Sequence, residues 1–142
     1  MERHILDFER AIDARDPDAF EDALLALFGG AKSSEACALL IRSLPLNWHF
    51  KHEDVAFAIQ RFRCAGAESV LEARALDCPE YLDWDDNYAL ARKCTWALAD
   101  IGTVEARAAL ERLAKCETEE IRVFAQKRLD SWASELSRKA GP

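Results

Sequence analysis

Glycine and proline are scarce in this chain, five and four of 142 residues. That argues against a turn-rich all-β fold and for long helices. No apolar run approaches the roughly 18 residues that a membrane-spanning helix requires, so no membrane partner is expected. The N-terminal stretch MERHILDFERAIDARD lacks the apolar middle of a signal peptide and is acidic rather than Arg/Ser-rich, which implies a cytoplasmic location. A basic face is missing too. The net charge is −7, whereas nucleic-acid binding draws its affinity from cations that release counterions. No nucleic-acid partner is therefore expected. The chain also has no Gly-rich phosphate loop, no GxSxG, no Walker lysine, no HExxH and no CxxC, the short signatures that most often mark catalysis or metal binding. An enzyme is not expected.

What is present is an ordinary globular composition, 50% apolar and 32% charged. A chain of this length fits one domain, residues 1–142, and that size buries roughly 70% of the surface its unfolded form exposes. The five cysteines (Cys37, Cys64, Cys78, Cys94 and Cys116) leave one thiol over under any pairing, and gaps of 27, 14, 16 and 22 residues match no zinc pattern. Cys37 and Cys94 sit beside apolar neighbours in helical positions. The expectation is reduced thiols packed as small hydrophobes.

Helical periodicity is the strongest signal. Leu90, Cys94 and Leu98 recur 31 residues later as Ile121, Ala125 and Leu129, and apolar residues at i, i+4 and i+8 form one buried helix face. Phe20, Ala23, Leu24 and Leu27 recur 35 residues later as Val55, Ala58, Ile59 and Phe62. Gly102 follows one periodic segment where a left-handed cap is needed, and Thr103 is placed to cap the next. The spacing predicts eight helices, over 3–14, 18–28, 33–43, 52–64, 67–77, 86–101, 103–115 and 118–136. A fixed period in this range marks stacked helical hairpins, each burying its stripe against its neighbours. The expected fold is all-α, a short α-solenoid of about four antiparallel hairpins.

The runs WALADIGTVEARAAL and IRVFAQKRL resemble HEAT repeats of the short, phycobilin-lyase-like bacterial type. Arg122 stands at the family's usual arginine position, while in the preceding unit Ala91 occupies it and Arg92 lies one place late. This resemblance implies a binding scaffold with no cofactor. The longer pattern YLDWDDNYALARKCTWALADIGT is similar to small bacterial HEAT-like immunity proteins of polymorphic toxin systems. That implies a monomer binding one cognate toxin, or another basic protein, in a one-to-one complex. The alternative under the same resemblance is a general adaptor or a lyase-like accessory protein.

Where a partner would bind is indicated by residues 78–90, CPEYLDWDDNYAL. By residue count this stretch carries −4, against −5 for 1–35, zero for 36–77 and +2 for 91–142. In a stack of hairpins, the connections 44–54, 78–86 and 116–120 fall along one edge. That edge collects the candidate partner-binding residues Trp48, His49, His52, Glu53, Asp54, Glu80, Tyr81, Asp83, Trp84, Asp85, Asp86 and Tyr88. Rings flanked by carboxylates fit an interface in which aromatics fill pockets and charge orients a basic partner. The competing expectation is that the tryptophans cover helix ends and that Asp85 and Asp86 cap the helix beginning there. His49 and His52 stand three apart in HxxHED. A shared metal would require one helix to carry both, and the helix is expected to start only at 52, so no metal site is assigned.

Overall fold

The computed structural model describes residues 3–30 and 32–139. Among them the secondary structure is helical throughout: α1 (Arg3–Ala14), α2 (Pro17–Phe28), α3 (Ser34–Ser43), α4 (His52–Phe62), α5 (Glu68–Leu76), a 3-10 turn (Glu80–Leu82), α6 (Ala89–Ile101), α7 (Val104–Leu113), α8 (Glu119–Asp130) and α9 (Trp132–Lys139). Local chemistry sets several of these boundaries. The Asp16 carboxylate accepts from the Asp18 and Ala19 amides ahead of Pro17, and Ser33 Oγ accepts from Ala36 N at 3.0 Å. Gly102 takes φ +71° and donates its N–H to Leu98 O, a left-handed cap that a side chain resists. Thr103 then starts α7 with its Oγ accepting from Ala106 N at 3.1 Å.

The same Thr103 hydroxyl donates to Glu68 Oε2 at 2.7 Å and so ties α7 to α5. Thr103→Ala removes both the cap and the tie. It is expected to cost about 1–2 kcal/mol, the upper part of the range for an N-cap, measurable by chemical denaturation.

Helices pack both with their sequence neighbours and one helix further on. α1 contacts α2, α3 contacts α4, α5 contacts α6 and α7 contacts α8, while α4 packs on α6, α6 on α8, α5 on α7 and α1 on α3. The apolar repeats supply the buried faces. Phe20, Ala23, Leu24 and Leu27 of α2 are buried, as are Val55, Ala58, Ile59 and Phe62 of α4 and Leu90, Cys94 and Leu98 of α6. Ile121 and Ala125 of α8 are buried as well, with Leu129 partly so. Polar ties cross between elements at the surface: Gln60 to Asp100 at 2.8 Å, Lys93 to Glu53 at 2.9 Å, and Arg112 to Glu72 through two bonds of 2.8 and 2.7 Å. Among the described residues no helix is long and apolar enough to cross a membrane.

Three sequence expectations are corrected here. The segment expected as one helix over 118–136 breaks at Ser131 into α8 and α9. The helix expected from 86 starts at Ala89, because Asp85 Oδ1 accepts from Asn87 N at 2.9 Å and Oδ2 from Ala89 N at 3.1 Å, with Tyr88 left-handed at φ 54°. That local turn consumes three residues before the helix begins. Cys37 and Cys64 are not packed thiols but a disulfide, with Cα atoms 5.4 Å apart. Their sequence separation of 27 carried no recognisable spacing; the approach of α3 to the end of α4 brings them within bonding reach. Cys94 is buried and remains a thiol, and burial pushes it up to about 12.

Candidate functional site

Two of the three connections expected on one edge meet. Arg74, in the last turn of α5, is only 5% exposed and bridges them. Its Nε donates to Leu44 O at 2.9 Å, Nη1 to Asp77 O at 3.1 Å, and Nη2 to Leu46 O at 3.2 Å and to the Asn47 side-chain oxygen. One guanidinium fork therefore fixes both the turn after α3 and the end of α5. The third connection is held by its own helix instead. Arg122 Nη1 donates to Cys116 O and Glu117 O at 2.8 and 2.9 Å.

From this anchor a ladder of rings runs from the core to the surface. Phe20 stacks on His49 with centroids 4.2 Å apart, and His49 stacks on His52 at 4.1 Å. Next come Tyr81, 5.6 Å from His52, and Phe50, edge-on to Tyr81 at 5.4 Å. Trp48 packs edge-on against both Phe20 and His49.

The hydrogen bonds set the histidine tautomers. His52 Nε2 donates to Leu46 O at 2.6 Å, so Nδ1 is the acceptor and receives the Tyr81 hydroxyl at 2.9 Å. The same hydroxyl oxygen accepts from the His52 amide at 3.1 Å. His49 Nε2 donates to Ser43 O at 2.8 Å, and its Nδ1 accepts from Lys51 N at 3.1 Å. Burial lowers the affinity of both rings for a proton, and the Arg74 charge acts in the same direction. For His52 the result is about 4, with neighbouring His49 also opposing a second charge.

The candidate residues accordingly separate into two groups. His49 and His52 are fully buried, and Trp48 is partly buried against the core. They do not present a surface, because both ring nitrogens of each histidine are already used inside. Tyr81 and Tyr88 are half-buried on the core, Glu53 is held by Lys93, and Asp85 caps α6. The exposed group comprises Asp54, Glu80, Asp83, Asp86 and above all Trp84, which is 77% exposed. Trp84 lies in the loop rather than over a helix end.

Sequence reasoning did not single out Arg74, Asn47 or Asp77. Together with Phe50, Cys78, Glu80 and Tyr81 they line an open pocket of about 660 Å³ beside the acidic loop. Phe50, 58% exposed, forms one apolar wall. A signal for Arg74 existed, since a basic residue in a helix's last turn is placed to bond free carbonyls. Its targets, 28 and 30 residues earlier, were beyond any local pattern.

Cys78 is exposed, yet burial of its sulfur followed by Asp83 and Asp85 pushes the thiol up, so little of the nucleophilic thiolate forms near neutrality. Among the described residues no group of three or more His, Cys, Asp or Glu is placed to hold a metal ion. No protein-family model matches the chain, and no curated protein or solved structure matches it either.

Proposed function

We propose that this protein is an inhibitor that works by binding, most specifically an immunity protein that covers a cognate toxin's active or substrate-binding site in a one-to-one complex. The observation that carries the reading is Trp84, an indole 77% exposed among Glu80, Asp83 and Asp86. A large ring left in water beside clustered carboxylates is the composition of an interface centre: the ring supplies desolvated contact area, and the charges steer and orient a cationic partner. The adjoining pocket fits the same partner, because Phe50 and Tyr81 offer ring surfaces and Asp77 and Glu80 offer carboxylates to an inserted lysine or arginine. In this reading the helices form a short HEAT-like α-solenoid of about four hairpins, supported by the packing of α4 on α6 and α6 on α8, and of α5 on α7.

The test is capture from host lysate with salt-graded elution, comparing the native chain with a variant carrying Asp83→Asn, Trp84→Ala and Asp86→Asn. The proposal expects one basic protein held in equal amount and lost by the variant. Several weak partners, captured equally by both, would reject it in favour of an adaptor. On the captured partner, Trp84→Ala alone is expected to cost about 2 kcal/mol of binding, roughly thirtyfold. Its melting temperature should stay nearly unchanged, since the exposed indole contributes little to the core. A melting temperature that falls while affinity is retained would make the ring structural.

A further inference from the structure

A second polar cleft lies between α6 and α8, sharing no lining residue with the pocket at the loop edge and independent of the function proposed for it. It encloses about 280 Å³ and is lined by Arg92, Thr95, Trp96, Phe124, Lys127 and Arg128. Each helix contributes residues at i, i+3 and i+4, the spacing that sets three side chains on one face. All the ionic groups lining it are cations. This is unexpected in a chain of net charge −7.

Several other basic groups of α6, α7 and α8 are engaged. Lys93 pairs with Glu53, Arg112 with Glu72, and Arg122 bonds Cys116 O and Glu117 O. Among the described residues no ion pair holds Arg92, Lys127 or Arg128. Arg128 instead sits over Trp96, its Cζ 3.5 Å from the ring centroid. Stacking orients its N–H fork without using its donors. Thr95 is already satisfied, its hydroxyl donating to Arg92 O at 2.7 Å.

Three unneutralised cations in one small cleft repel one another, and an anion entering it relieves that repulsion. Guanidinium forks match the paired oxygens of phosphate. Trp96, 37% exposed, and Phe124 add flat apolar surface beside the charges. A bare phosphate would leave that surface and most of the volume unused, whereas an extended acidic peptide needs a longer groove. The volume falls just under the roughly 300 Å³ at which small-molecule sites begin, so the ligand must be small. We infer that this cleft binds a small phosphate-bearing ligand with a planar ring, of the nucleoside monophosphate class. The phosphate would meet Arg92, Lys127 and Arg128, and the base would lie against Phe124 beside the Arg128–Trp96 pair.

The experiment is calorimetric titration of the full chain, at low ionic strength, with each common ribonucleoside monophosphate, the corresponding nucleosides, inorganic phosphate and a short Asp/Glu peptide. Saturable binding of at least one monophosphate is expected, competed by phosphate and weaker by about tenfold or more for its nucleoside. Arg92→Gln with Lys127→Gln should weaken that binding by a similar factor; both side chains are exposed, so the melting temperature serves as the folding control. Trp96→Leu, which also frees Arg128 from its ring contact, should weaken the monophosphate by a larger factor than inorganic phosphate. Absence of saturable monophosphate binding, equal binding by the double variant, or preference for the acidic peptide would each overturn the inference.

Discussion

Arg74→Met is expected to cost about 3 kcal/mol of folding free energy, lowering the melting temperature by roughly 10 °C for a chain of this length. Methionine keeps most of the side-chain volume and removes the donors. Leu44 O then loses the Nε donor at 2.9 Å, and Leu46 O and Asn47 lose Nη2. Hydrogen bonds from a charged donor contribute about 1.5–3 kcal/mol each, and a buried acceptor left without a partner carries its desolvation cost. Part of the loss is returned, because burying a guanidinium was itself unfavourable. Urea denaturation of the two proteins checks the figure. A loss below about 1 kcal/mol would mean that the ring ladder alone holds the two loops together. Partner binding should fall with stability in this variant, unlike Trp84→Ala, because Phe50 and Tyr81 rest on the loops that Arg74 fixes.

Acid should destabilise the protein by about 3 kcal/mol through His52 alone. Unfolded, the ring takes a proton near 6.5; folded, it does so only near 4. Between those values the unfolded chain binds the additional proton, so unfolding becomes easier as pH falls from about 6.5 to about 4 and levels off below. At 1.36 kcal/mol per unit the window gives the stated figure. His49, also lowered by burial, adds in the same direction. The main cause is burial, which strips a charged ring of its hydration; a cation there also stands beside His49 and Arg74, whose Nη2 is 3.2 Å from Nε2, and protonating Nδ1 removes the acceptor for the Tyr81 hydroxyl. Denaturation curves at several pH values should show the slope, and His52→Gln should remove a large part of it. An unchanged slope in that variant would assign acid sensitivity to other groups.

The helix faces were legible because burial of an amphipathic helix leaves a local trace. Phe20, Leu24, Val55, Ile59, Leu90 and Leu98 announced themselves by spacing, and their burial follows from it. Gly102 and Thr103 were equally legible, since a cap's chemistry acts within a few residues. The break at Ser131 was not, because Ser131 interrupts no apolar pattern and carries neither glycine nor proline.

At the candidate site the same division holds. Composition marked 78–90 as unusual, and exposure of Trp84 and the acidic loop is consistent with the surface proposed from it. Composition was silent on which rings turn inward. His49 and His52 have polar side chains and flank exposed residues, so nothing local distinguished a solvated pair from a buried one. Their burial rests on carbonyls of Ser43 and Leu46, a hydroxyl from Tyr81 and the flat face of Phe20.

The sequence by itself determined the helical class, the buried stripes, the principal caps and the acidic-aromatic loop, all consequences of interactions within one or two helical turns. Only the tertiary structure decided the Cys37–Cys64 bond, the Arg74 anchor, the inward histidine ladder and the cationic cleft of Arg92, Lys127 and Arg128. Each of those depends on residues 22 or more apart in the chain meeting in space, and their partners are set by how whole helices pack.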